Sequence, residues 1–90
     1  MSRPTIRIEY CTSCNYLPRA LWIAAELLPD MQYDLGALLL VPGDRGVFDL
    51  RLDEQLLFSK AATGRFPDPE ELKQSIFDAM EARRGSERPA

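Results

Sequence analysis

The spacing of apolar residues changes abruptly near the start of this chain, and a pair of cysteines sits at the change. Ile6, Ile8 and Tyr10 alternate with Thr5, Arg7 and Glu9, the two-residue period of a strand with one face in a core. Beyond Cys11-Thr12-Ser13-Cys14 the period becomes helical, with Leu17, Ala20, Leu21, Ala24 and Leu28 on one stripe. Proline is tolerated in a helix only within the first turn, where its missing N–H would be unpaired anyway. Pro18 therefore predicts a helix from about Cys14 to Leu28, with Cys14 at its N-terminus and Pro29-Asp30 as its stop.

The remaining elements follow from local signals. Ala37–Val41, with Pro42-Gly43 behind it, reads as a strand buried on both faces or parallel to another. Gly43–Gly46 is a turn, and Val47–Leu52 alternates cleanly into a hairpin over Asp53-Glu54, with Gln55–Ser59 as its second arm. Lys60–Pro67 reads as a loop. Asp68-Pro69-Glu70-Glu71 carries a cap, a first-turn proline and a capping-box glutamate, so a helix begins there. Its buried stripe is Leu72, Ile76 and Met80, and Gly85 ends it. The order is β-α-β-β-β-α, and the first β-α-β should be right-handed and parallel. The polar alternates Arg7, Glu9, Asp49 and Arg51 leave one sheet face without a helix, so both helices share the other face of a four-stranded mixed sheet. The expected class is a two-layer α/β (α+β) domain over residues 1–85, with a disordered tail at 86–90.

Composition limits what such a domain does. The 90 residues are 46% hydrophobic and 28% charged with net charge −3, which suits one small globular domain. An acidic balance disfavours duplex nucleic acid as a partner. The absence of histidine removes His-based triads and His-containing zinc or haem sites, and two cysteines alone cannot complete a four-ligand zinc site. The first residues hold no apolar signal-peptide core, and the longest uncharged apolar stretch, Leu35–Gly43, is about half the ~18–20 residues of a membrane span. A cytoplasmic location with no membrane partner is the expectation. In a reducing compartment a close cysteine pair reads as catalytic or metal-binding.

Cys11 and Cys14 are the constellation with clear chemical content. Two intervening residues let the thiols close a small disulfide ring. A helix N-terminus beside them supplies free N–H groups and partial positive charge, which favour thiolate and lower one cysteine's pKa. The expectation is an exposed, redox-active Cys11–Cys14 couple that attacks a partner disulfide and resolves the mixed disulfide internally.

Four motifs, in order, resemble the selenoprotein W/T/H (Rdx) family: Ile8-Glu9-Tyr10-Cys11-Thr12-Ser13-Cys14-Asn15-Tyr16, Gly46-Val47-Phe48-Asp49-Leu50, Leu57-Phe58-Ser59-Lys60 and Gly64-Arg65-Phe66-Pro67. The resemblance spans Thr5 to Met80. It implies a thioredoxin-like fold and a thiol-based role in cell redox homeostasis, with glutathione or client proteins as partners and no bound cofactor or metal. Selenium-containing members carry selenocysteine at the position of Cys14, so this chain looks like an all-cysteine, bacterial-type member. Thioredoxins attack with the first cysteine of the pair and this family keeps its most reactive atom second, so either Cys11 or Cys14 is the nucleophile at this stage. The implied strand order is 2-1-3-4. That order brings the Gly43–Gly46 turn across the end of the first strand and puts Ser59, Lys60, Arg65 and Phe66 on the active side. No proline precedes Val47, where thioredoxins place a cis-proline loop. Tyr10, Thr12, Ser13, Asn15, Gly46, Lys60, Arg65 and Phe66 are the expected site-flanking residues, Lys60 and Arg65 as cations for the thiols or for glutathione carboxylates.

Two other readings have support. Copper chaperones also place CxxC after a first strand, and thiolates bind Cu(I) or Zn. Against that reading, Glu9-Tyr10 stands where such carriers have Met, and the chain ends in a helix. The first helix is apolar most of the way round, with Trp22 and Ile23 off the leucine stripe, which suits a protein-interaction adaptor or a homodimer through that helix.

Overall fold

The computed structural model describes residues 3–87, with side chains to Arg84. The element order is β1 (Thr5–Cys11), α1 (Leu17–Met31), β2 (Ala37–Gly43), β3 (Phe48–Leu52), β4 (Gln55–Ser59), α2 (Lys60–Thr63) and α3 (Pro69–Glu87). The sheet order is β2-β1-β3-β4. β1 pairs in parallel with β2, from Thr5↔Ala37 to Cys11↔Gly43, and antiparallel with β3, from Ile6↔Leu52 to Tyr10↔Phe48. The alternation read in β1 and β3 sends Ile6, Ile8, Tyr10, Phe48, Leu50 and Leu52 into one core, where α1 contributes Ala20, Ile23, Leu27 and Met31 and α3 contributes Leu72, Ile76, Ala79 and Met80. The fold is the expected two-layer α+β arrangement, with α1 and α3 on one face of a mixed four-stranded sheet.

Several local expectations are corrected. α1 begins at Leu17 rather than Cys14, because Asn15 takes a left-handed conformation (φ 60°) that breaks the helical path. It also runs through Pro29 to Met31. Pro29 lies in the last turns, and both it and Ala25, whose carbonyl loses a donor, are exposed, so the lost bond is not a buried one. The buried stripe is Ala20, Ile23, Ala24, Leu27 and Met31, while Leu17, Leu21 and Leu28 are 41%, 51% and 38% exposed. The two stripes have the same period and lie roughly 80° apart at 3.6 residues per turn, so period alone did not set the phase. Of the two alternatives read for β2, the parallel one holds, while the strand is a sheet edge with no buried residue rather than covered on both faces, and an edge strand tolerates Pro42. Ser59 is followed by the single turn of α2, where a loop was expected, and Gly64 (φ 74°) ends it. α3 continues past Gly85 to Glu87; of the expected tail at 86–90, residues 88–90 lie outside the described residues.

The capping box of α3 is present. Glu70 N–H donates to Asp68 Oδ1 (3.2 Å), and Asp68 N–H donates to Glu71 Oε1 (3.0 Å). The far half of α3 is fastened to the sheet at the β3–β4 turn. There the Asp53 carboxylate accepts from the Thr5 N–H (3.0 Å) and from Arg83, whose second nitrogen donates to the Leu52 carbonyl (2.9 Å). The Thr5 N–H first, and Arg83 second, hold the Asp53 carboxyl below the usual carboxylate range. Replacing Asp53 by Ala removes both bonds, and because the group is partly solvated the expected loss is about 1 kcal/mol. Urea titration reads it as a lower midpoint at unchanged slope, and Asp53→Asn, which keeps one acceptor, recovers part of it.

Candidate redox site

Cys11 is the last residue of β1, and its backbone is held from both neighbouring strands. Its N–H donates to the Val47 carbonyl (2.9 Å), and the Thr12 N–H donates to the Gly43 carbonyl (3.1 Å). The Thr12 hydroxyl donates to the same Gly43 oxygen (3.1 Å). A Cβ at position 43 would lie 2.8 Å from Glu9 Oε2 and from Val47 Cγ1, so any larger residue there must displace those side chains. From Cys11 the chain folds into a closed turn. Asn15 N–H donates to the Thr12 carbonyl (3.1 Å) and Tyr16 N–H to the Cys11 carbonyl (3.2 Å). The left-handed Asn15 permits this, and asparagine tolerates that conformation better than most residues.

The turn brings the cysteine Cα atoms to 5.4 Å, and the sulfurs form a Cys11–Cys14 disulfide. The two sulfurs are not equivalent. Cys11 is fully buried, whereas Cys14 is exposed on the turn. The expected exposed couple is thus half exposed, because Cys11 still belongs to the sheet. The Ser13 hydroxyl lies 3.5 Å from Cys11 Sγ. Cys14 stands three residues ahead of Leu17, so it precedes the first helical turn instead of lying in it, and Pro18 contributes no amide to that turn.

An aromatic cluster adjoins the turn. The Tyr16, Phe48 and Phe66 rings meet edge to face, with Tyr16–Phe66 at 4.8 Å and Phe48–Phe66 at 5.3 Å between centroids. Two cations stand on this cluster: the Arg19 guanidinium 4.4 Å from the Phe66 centroid, and Lys60 Nζ 5.3 Å from Phe66 and 5.8 Å from Tyr16. Neither Arg19 nor Lys60 is in an ion pair among the described residues. The structure therefore brings Thr12, Ser13, Asn15, Lys60 and Phe66 to the cysteine end of the sheet. Gly46 (φ 74°) turns the chain into Val47, whose carbonyl holds Cys11. Tyr10 faces the core instead. Arg65 is engaged in a two-pronged bond with Glu71 (2.6 and 2.9 Å) and also donates to the Phe66 carbonyl. Sequence reasoning passed over Arg19 and the carbonyls of Gly43 and Val47. Arg19 was accessible from its position three residues after Tyr16, on the same helix face. Backbone acceptors leave no such mark.

A two-layer domain with a central strand delivering CxxC to a helix-leading turn has the thioredoxin-like form. The family model of the Rdx family matches residues 5–78, and the chain belongs to that family. A crystal structure of a protein from Bordetella parapertussis is similar at 43% identity and a TM-score of 0.83, over 86% of this chain and 98% of that one. A selenoprotein W-related protein from Vibrio cholerae is similar at 28% identity and a TM-score of 0.83, over 87% of this chain and 98% of that one. No curated protein matches. No helix among the described residues is long and apolar enough to cross a membrane.

The Arg65 bond, and after it the Asp68 N–H, lowers the Glu71 carboxyl from 4.5 to about 2. A carboxyl lowered on folding contributes stability above its unfolded value and loses it as pH falls toward the folded one. Wild type should therefore exceed Glu71→Gln by a constant margin from neutral pH down to about pH 4.5, and the margin should vanish between there and about pH 2. Solvent screening keeps it to about 1 kcal/mol or less. Denaturation midpoints of the two proteins across that range check it.

Proposed function

We propose that this chain is a thiol–disulfide redox protein of a reducing compartment, the cytoplasm, exchanging disulfides with glutathione or client proteins in redox homeostasis. The observation that carries the reading is the pairing of an exposed Cys14 with a buried Cys11 across one turn. An incoming disulfide can reach Cys14 and cannot reach Cys11, so Cys14 is the attacking sulfur and Cys11 the resolving one.

The cycle balances as follows. In the dithiol form the Cys14 thiolate attacks one sulfur of a partner disulfide, whose S–S bond breaks. The departing thiolate takes a proton from water. Cys11 then loses its proton and attacks Cys14 Sγ, forming the Cys11–Cys14 disulfide and releasing the second partner thiolate. The partner gains two electrons and the protein loses them. Two thiols, glutathione among them, return the disulfide to the dithiol by the reverse exchange. The Ser13 hydroxyl beside Cys11 Sγ is placed to donate to that sulfur when it carries charge. Arg19 and Lys60, in no ion pair among the described residues, give carboxylate-bearing partners two cations on the Tyr16–Phe66 cluster.

Oxidised glutathione distinguishes the two cysteines. Cys11→Ser should accumulate a mixed disulfide on Cys14, seen by mass spectrometry, while Cys14→Ser should react more slowly by at least about tenfold, its remaining sulfur being buried. Trapping in the opposite variant would reverse the assignment, and trapping in neither would remove the redox reading.

A further inference from the structure

Arg19 and Lys60 converge on one ring beside the thiol turn. The Arg19 guanidinium lies 4.4 Å and Lys60 Nζ 5.3 Å from the Phe66 centroid, so the two charges are no more than about 10 Å apart. Phe66 meets Tyr16 at 4.8 Å between centroids. Tyr16 in turn closes the turn that carries Cys14, its N–H donating to the Cys11 carbonyl (3.2 Å). The two cations come from different elements, Arg19 from the first turn of α1 and Lys60 from the start of α2. Ring contacts restrain them and leave their charge uncompensated, since neither holds a carboxylate among the described residues. Arg65, the neighbour of Phe66 in sequence, differs, because Glu71 takes both of its prongs (2.6 and 2.9 Å). Arg19 also lines an open hollow with Pro18 and Trp22, which leaves room for a ligand beside the guanidinium.

The chain as a whole is acidic, with net charge −3. Its overall field disfavours an approaching anion, but at physiological ionic strength that field fades within ~8 Å of the charges that make it. An anion at the Phe66 edge meets two uncompensated positive charges instead. The attacking thiolate is itself an anion, so an anionic disulfide approaches a bare thiolate against repulsion unless cations stand nearby. Two cations on one ring, beside an exposed sulfur, therefore favour a disulfide that carries carboxylates close to its S–S bond.

We infer that Arg19 and Lys60 are specificity-determining residues that select carboxylate-bearing disulfides for attack by Cys14. The inference rests on the redox reading and sharpens it. The exchange is the same: Cys14 Sγ bonds to one partner sulfur, the partner S–S bond breaks, and the departing thiolate takes a proton from water. The cations act on the encounter that precedes it. Two sources carry this chemistry, glutathione and an acidic segment of a client protein.

The test compares rates of attack by the dithiol protein on oxidised glutathione and on the same disulfide esterified at its carboxylates. Each rate is divided by that of mercaptoethanol, which removes the intrinsic reactivity of the disulfide. The corrected ratio should favour the free carboxylates by at least about fivefold, and about 0.5 M salt should at least halve that preference. Arg19→Gln and Lys60→Gln should each reduce it by about two- to fivefold. Arg65→Gln, which removes the same charge from a residue tied to Glu71, should leave it within about twofold. A disulfide-linked peptide with Glu beside each cysteine, set against its Gln form, tests the second source. Preference in either pair supports the inference, and the pair that shows it names the source. Equal corrected rates in both pairs overturn it and leave the redox reading standing. A preference that survives both Arg19→Gln and Lys60→Gln, or that Arg65→Gln lowers equally, overturns it as well, since net charge or the thiol alone would then account for the rates. A protein that attacks none of these disulfides removes both readings.

Discussion

The structure depends on β1 being a central strand with different neighbours on its two sides. A parallel partner must be reached by a crossover, which forces α1 between β1 and β2, and an antiparallel partner brings β3 back toward the same end. The one connection from β2 to β3 therefore crosses the end of β1 where Cys11 stands. Two carbonyls, one on each side, take the Cys11 and Thr12 amides. That arrangement buries Cys11 and lets the next residues leave the sheet as a tight turn. The inequality of the two sulfurs is a consequence of sheet pairing, with no side chain specialised to produce it.

Most of the architecture was legible in the sequence because it rests on period and punctuation. The alternation in Thr5–Tyr10 and Val47–Leu52, the Asp53-Glu54 turn and the Asp68–Glu71 box each have a local physical cause, and each is present. The misreadings share a different origin. α1 offers two leucine-bearing stripes of the same period, and burial is decided by which side meets β1 and α3, a tertiary matter. Pro29 reads as a stop only where the residue whose carbonyl it deprives is buried, and Ala25 is exposed. Asn15 carries no mark that separates a left-handed turn from a first helical turn, so the helix start was set three residues early. The burial of Cys11 depends on β2 and β3 arriving beside it, which no window around CxxC contains.

The cations divide into two groups by what they face. Arg65, Lys73 and Arg83 each hold a carboxylate and fasten one element to another: the segment after α2 to α3, α3 to α1, and α3 to the hairpin. Arg19 and Lys60 hold aromatic rings instead. A ring attracts a cation without neutralising it, so these two keep their charge available to an arriving anion while the Tyr16–Phe66 cluster restrains their positions. The sequence reading gave Arg65 and Lys60 the same part. The structure separates them because Glu71, already bound to the capping box, lies within reach of Arg65.

α1 has to satisfy three surfaces at once, and its composition follows from that. One arc fills the core, a narrow charged arc contacts Phe66 and Lys73, and the remainder is apolar and exposed. A helix needing only a core face would place polar residues at 18, 21, 22, 25 and 29, at almost no cost to folding and with a gain in solubility. These positions are instead Pro, Leu, Trp, Ala and Pro, of which Pro18 serves the helix start. The turn bearing Cys14 sits at the head of the same helix. The chain thus leaves the sheet at the buried sulfur, presents the exposed one on the turn and enters α1 past it.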